Sequence, residues 1–108
     1  MSMASDMRVT MRLPTRILFD GRAVRLTGVA PDGAFGILPN HVDFVTALVP
    51  SVLTLRLADG TEEIFGLDEG LLVKEGHDVS LSILRGVRGD DLGSLKETVA
   101  ARFVQMDE

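Results

Sequence analysis

Residues 33–48, GAFGILPNHVDFVTAL, place two glycines, a proline and a histidine at fixed points inside an apolar run. A plain strand has no need of them. Gly33 and Gly36 allow backbone angles that a side chain would forbid, and Pro39 followed by Asn40 is turn chemistry, because asparagine tolerates positive φ better than most residues. The apolar residues between them, Phe35, Ile37 and Leu38, anchor such a segment to a core. The reading is a shaped loop seated on a packed domain, leading into an extended stretch over residues 44–48.

On the N-terminal side, Met7, Val9, Met11 and Leu13 alternate with Arg8, Thr10 and Arg12, the period of two that places apolar residues on one face of a strand. Pro14 ends that run. A second strand around residues 17–19 meets Asp20-Gly21, a dipeptide suited to a hairpin turn, and the chain is expected to return through Ala23, Val24 and Leu26. On the C-terminal side, residues 52–57 alternate up to Asp59-Gly60, a second hairpin signal, and residues 62–67 follow as the return strand. Gly70 opens the stretch 71–74, residues 76–78 turn, and Val79, Leu81 and Ile83 alternate with Ser80 and Ser82. About eight to ten short strands thus follow one another without a helix, which predicts a mainly β fold, an antiparallel β-sandwich of two sheets packed face to face.

The period changes after residues 86–93, GVRGDDLG, which read as a linker. Leu92, Leu95, Val99, Phe103 and Met106 recur at spacings of three and four, and Ser94 with Glu97 forms a capping box, so a helix is predicted over residues 94–105. At about three turns it is too short to be stable alone and needs a surface for its apolar stripe. The expected organisation is a sandwich domain over residues 1–87, then a linker and the first helix of a C-terminal helical region over residues 88–108.

At 108 residues the chain has room for one domain and its appendage. No apolar stretch approaches the roughly 18 residues that span a bilayer, no secretory signal opens the chain, and there are no cysteines to form disulfides, all consistent with a cytoplasmic setting. The net charge of −5 argues against binding nucleic acid, whose affinity comes from clustered Lys and Arg. The charge is unevenly spread: six arginines against four acids in residues 1–56 give +2, and five basic residues against twelve acids in residues 57–108 give −7. That asymmetry suits either two faces with different partners or acidic loops that keep a small domain soluble.

Enzyme chemistry has little to stand on. No phosphate-cradling G-x-x-x-x-G-K-[ST] loop and no G-x-S-x-G elbow occurs, and the acid pairs Glu62-Glu63, Asp68-Glu69 and Asp90-Asp91 are sequence neighbours that a strand would point to opposite faces. His41 and Asp43 could share one face of a strand, yet a structural zinc site needs four ligands, and His41 is read instead as capping the turn after Pro39 and touching a neighbouring subunit. His77, beside Asp78, is expected in a solvated turn. Phe19, Phe35, Phe44 and Phe65 read as core, and the absence of Trp and Tyr weakens carbohydrate or RNA stacking. No catalytic residue, metal ligand or cofactor is assigned.

The run G-x-F-G-I-L-P-x-H at residues 33–41, followed by a threonine-containing strand, resembles the epsilon subunit of bacterial F-type ATP synthases in residue type and spacing. The similarity extends from Met7 to the helix start at Ser94 through the Pro14-Thr15 break, Pro50 ahead of residues 52–57, and Gly70 before an apolar strand. The segments HVDFV, DEGLLVKEG and RGDDLG look nearer the alternate, sodium-type branch. The resemblance implies a non-catalytic rotor component of the central stalk that couples ion flow through the membrane ring to the catalytic head. Its implied partners are the gamma subunit and the membrane ring, and its implied place is the cytoplasmic face of the bacterial plasma membrane, peripheral to the bilayer. By position, Ala34, Phe35, Asn40 and His41 are the implied ring contacts. Many family members carry an acid where this chain has Ala34, so an apolar contact is expected there. With the sequence ending at Glu108, at most one helix of the family's C-terminal hairpin fits, and neither regulatory braking nor an ATP site is carried over. The competing readings are a free-standing β-sandwich module for a small ligand and, more distantly, a metal hydrolase at His41.

Overall fold

The computed structural model describes residues 4–89. Ten strands follow in order: β1 (Met7–Arg12), β2 (Ile17–Ala23), β3 (Arg25–Ala30), β4 (Gly33–Ile37), β5 (Phe44–Leu48), β6 (Ser51–Arg56), β7 (Glu62–Leu67), β8 (Gly70–Glu75), β9 (Asp78–Ile83) and β10 (Gly86–Gly89). They form two five-stranded sheets ordered β2-β1-β9-β8-β5 and β10-β7-β6-β3-β4. The expected sandwich is there. The helix expected over residues 94–105 lies outside the described residues.

Alternation makes the core. Met7, Val9 and Met11 of β1 and Val79, Leu81 and Ile83 of β9 point inward, against Leu26, Leu53, Leu55, Phe65 and Leu67 of the other sheet. Phe65 is fully buried and meets the Phe19 ring edge-on at 5.7 Å, while Phe19, Phe35 and Phe44 are half-buried against the cluster. One acid is buried as well: Asp68, its side chain 2% exposed, accepts from Arg85 Nη2 at 2.7 Å and from the Glu69 N–H at 2.8 Å.

Several local expectations change. Asp20-Gly21 is not a turn, since β2 runs straight through it with Thr10 opposite Asp20 and Val9 opposite Gly21. The reversal is already made at residues 13–16, where the Leu13 N–H donates to Arg16 O at 2.8 Å. Asp20 instead receives Arg8 Nε at 3.2 Å and Nη2 at 3.0 Å, and Gly21 leaves room for the Phe19 ring, whose Cζ a Cβ would approach to 3.0 Å. The sandwich is not wholly antiparallel either: β1 pairs with β9 in parallel, because the two neighbours come from opposite ends of the chain and no tight turn joins them. Finally, the stretch read as a linker opens with β10, antiparallel to β7 and fastened by Arg88 Nη2 on Glu63 at 2.9 Å, so the sandwich runs to Gly89 and past the expected boundary at 87.

Asp59-Gly60 is the turn its sequence predicts. Gly60 adopts φ +90°, its N–H donates to Leu57 O at 3.0 Å, and the Thr61 N–H donates to Asp59 Oδ1 at 2.9 Å. That hydrogen bond, first of all, with the Thr61 side chain adding to it, holds the exposed Asp59 carboxyl below its ordinary value. A carboxyl depressed in the folded chain contributes stability above its unfolded pKa, and the contribution is lost as pH falls through the lower folded value. Carbon-detected NMR titration should therefore find the Asp59 midpoint below that of the same residue in an unstructured peptide. Equal midpoints would show that the turn does not hold the Thr61 amide on Asp59.

Candidate functional site

β3 and β4 form a hairpin in which Val29 faces Ala34 and Leu26 faces Ile37. The segment 33–37 is thus a strand and not part of a loop, and positive φ is confined there to Gly33, at +131°. Gly36 has no such angle, which corrects the backbone role expected of it: a Cβ there would meet Arg25 Nη2 at an ordinary 3.8 Å. The loop proper is residues 38–43. It is closed by the His41 N–H on Leu38 O at 3.0 Å, with Pro39 buried beneath it.

The side chains of Asn40, His41 and Asp43 are each hydrogen-bonded. The Asn40 side-chain amide exchanges two hydrogen bonds with Ala4, accepting from its N–H at 3.1 Å and donating to its carbonyl at 2.9 Å, as a backbone strand would. His41 Nδ1 lies 2.7 Å from Val42 O and must be the donor, since a carbonyl can only accept, so the neutral ring keeps its proton on Nδ1. The ring edge rests on Phe44, centroids 5.5 Å apart, and Phe44 rests in turn on Phe35 at 5.6 Å. Asp43 Oδ1 accepts from the Gly76 N–H at 2.9 Å, across the chain in the β8–β9 turn. Lys74, 1% exposed, donates from Nζ to His41 O and to Gly76 O, each at 2.5 Å.

This arrangement divides the four expected contact residues. Ala34 is exposed beside the β3–β4 turn, at the end of the sandwich where the Val49 N–H reaches Val29 O. From there β4 carries the chain about 10 Å to Ile37, so Asn40 and His41 sit at the opposite end. Phe35 faces inward and is packing, its ring filling the space that Gly28 leaves open: a Cβ on Gly28 would come within 2.9 Å of Phe35 Cζ. No single edge presents all four. Asp43 is bonded to the Gly76 N–H of the β8–β9 turn and His41 Nδ1 to Val42 O within the loop, so both members of the pair weighed as a metal site are engaged with backbone groups.

Sequence reasoning missed Lys74 and the exposed Val42 at 76% and Val45 at 63%, and it placed Leu38 in the core, whereas Leu38 follows the last residue of β4 into the loop and is 57% exposed. The signal for Lys74 was available, because in β8 it shares the inward face with Leu72. The signal for the apolar edge was charge: from Gly33 to Leu55 the sequence holds one formally charged residue, Asp43. The strands β4 and β5, both sheet edges on this side, carry no charge at all, whereas on the other side β2 and β10 are covered by the pairs Arg8–Asp20, Arg22–Asp6 and Arg88–Glu63. Edge strands exposed to water are ordinarily guarded by charge, so an unguarded pair of edges marks a surface built to be covered. At the Ala34 end an open groove of about 670 Å³ runs between Leu13, Pro14, Leu48, Leu71 and Leu84, with Arg12 and Glu69 at its rim.

The described residues thus form a two-sheet sandwich with an uncharged apolar edge and a loop fixed by its hydrogen bonds to neighbouring elements. Residues 6–89 match the sequence model of the ATP synthase Delta/Epsilon chain beta-sandwich domain. The chain is 38% identical over 105 residues to ATP synthase epsilon chain 2 of Paraburkholderia xenovorans, covering 93% of this chain and 76% of that protein. It is 33% identical over 75 residues to the ATP synthase epsilon chain of Acinetobacter baylyi, covering 69% of this chain and 54% of that one. Among solved structures, a chain of the mitochondrial ATP synthase of Euglena gracilis superposes with a TM-score of 0.78 at 16% identity, over 91% of this chain and 64% of that one. A chain in the central stalk and c-ring structure of the Tetrahymena thermophila enzyme gives 0.66 at 13%, over the whole of both. The chain belongs to the epsilon-chain family of ATP synthases, whose members are non-catalytic subunits.

Proposed function

We propose that this chain is a rotor component of the central stalk of an F-type ATP synthase, joining the gamma subunit to the membrane ring and so coupling ion flow to the catalytic head. The observation that carries the reading is the family match over residues 6–89, the whole of the ten-stranded sandwich. A stalk element must pass torque without deforming, and two sheets closed over a dense core of Leu, Met, Val and Phe are stiff. A free-standing ligand module is not favoured. In the same reading the protein is peripheral to the membrane, on the cytoplasmic face in a bacterium. The segments HVDFV, DEGLLVKEG and RGDDLG support a place near the alternate, sodium-type branch.

Two surfaces divide the two partners. The groove at the same end of the sandwich as Ala34 is open and largely apolar, a surface for the short loops of the ring. The ridge of Leu38, Val42 and Val45 along the uncharged β5 edge suits the elongated side of gamma, with Asn40 and His41 holding its end. Leu38 is exposed, so Leu38→Asp should leave the unfolding midpoint in place while binding to gamma weakens about tenfold or more, roughly 1.4 kcal/mol. Ala34→Arg should retain gamma and lose the ring. Copurification of each variant with the complex tests both. If neither changed assembly, the division of surfaces would be wrong.

A further inference from the structure

Lys74 is buried, at 1% exposure. Among the described residues no carboxylate lies within 4.0 Å of its Nζ, and the ammonium is held by two backbone carbonyls, those of His41 and Gly76. These acceptors lie on different elements, the loop 38–43 and the β8–β9 turn. Asp43 joins the same two elements by accepting the Gly76 N–H, so Gly76 is gripped through both its amide and its carbonyl. The Arg8 N–H on His77 O, at 2.9 Å, ties that turn to β1 as well.

Taking an ammonium out of water is costly, and carbonyl dipoles do not neutralise it as a carboxylate would. An apolar chain of similar length would fill the position at no such cost, as Leu72 does one step earlier on the same face of β8. What the charge supplies and an apolar chain cannot is geometry: two carbonyls drawn to one point fix the distance between the loop and the turn.

We propose that Lys74 is a positioning residue, whose buried ammonium clamps the His41 loop to the β8–β9 turn and so presets the Leu38 and Val42 surface, at a cost in stability. The clamp stands on the contacts alone, and its use in the stalk rests on the assignment of that surface to gamma. A loop already held in its bound shape loses less freedom on association, which is where such a residue acts on affinity.

The test is Lys74→Met in the full 108-residue chain, with amide hydrogen exchange followed residue by residue. The deciding quantity is exchange at His41 and Gly76 relative to that at Val79 and Leu81 in the core. A rise of about tenfold or more in that ratio is expected, with a urea midpoint equal to or above that of the unaltered chain. A merely packed lysine would speed all four amides together, and a ratio that stays put overturns the clamp. If the variant does not fold, the unaltered chain decides: a clamped His41 amide exchanges only through global opening and shares the urea dependence of Leu81, and a shallower dependence overturns the proposal. Folded Lys74→Met should also bind gamma about tenfold more weakly. Full affinity with a loosened loop would remove the gamma assignment and leave the clamp standing.

Discussion

Exchanging Ile37 for aspartate should leave the chain unfolded at room temperature, although the neighbouring change Leu38→Asp leaves it folded. Ile37 is fully buried at the end of β4, opposite Leu26, while Leu38 is 57% exposed. Losing a core isoleucine side chain costs about 2–5 kcal/mol through lost transfer and the space left behind. A carboxylate in that space adds several kcal/mol more, or takes up a proton to avoid it. The sum is comparable with the roughly 5–15 kcal/mol that holds a domain of this size together. Circular dichroism and size exclusion would read the outcome directly. A cooperative transition near the original midpoint would mean that Ile37 does not belong to the core. The pair also separates causes in any assembly experiment: Ile37→Asp fails by unfolding, and Leu38→Asp by contact alone.

Adjacent residues with such different fates show where sequence is legible. Alternation in β1 and β9 names the inward residues, because in a half-buried strand side-chain direction depends only on position parity. Turn dipeptides are less informative. Asp59-Gly60 reverses the chain and Asp20-Gly21 does not, although the two are the same dipeptide: the second lies opposite β1, where Arg8 neutralises Asp20 and the bare Gly21 accommodates Phe19. That outcome is set by a strand some ten residues away, which no local signal contains. The same limit explains β10. Four residues with two glycines carry no period, and the ladder with β7 is what makes them a strand.

The site was legible in outline only. Pro39-Asn40 signals a turn, and the turn is there, yet Asn40 is used to pair with Ala4, 36 residues back. The inward position of Lys74 follows from alternation, while its acceptors come from a loop 33 residues earlier and a turn two residues later. Chemistry that gathers residues from the loop 38–43, β8 and the N-terminal segment becomes visible once the two sheets are stacked. The glycine-rich run announced a shaped surface and not its division between two ends, because the run contains a complete strand.

The second large effect is expected at Gly70, the first residue of β8. Its φ is not positive, so any residue could adopt its backbone, and the obstacle is contact alone. A Cβ built there would stand 2.5 Å from Ser82 O and 3.2 Å from Ile83 Cα, both on the backbone of β9. A flexible side chain could swing away, but a strand held in its ladder on both sides cannot. Gly70→Ala should therefore push β8 from β9 at the Gly70–Ile83 pair and lower stability by about 3 kcal/mol, the upper end of overpacking. Gly36→Ala is the matched control, with ordinary space and no positive φ, and should be neutral or stabilise by up to about 1 kcal/mol as the unfolded chain loses freedom. Urea unfolding of both variants measures the difference. Because Gly70 also lines the groove proposed for the membrane ring, the displaced strand should loosen retention by the ring even where the variant still folds. A Gly70→Ala chain as stable as Gly36→Ala would show that β8 and β9 are not in this close approach, and the groove would lose the wall they form.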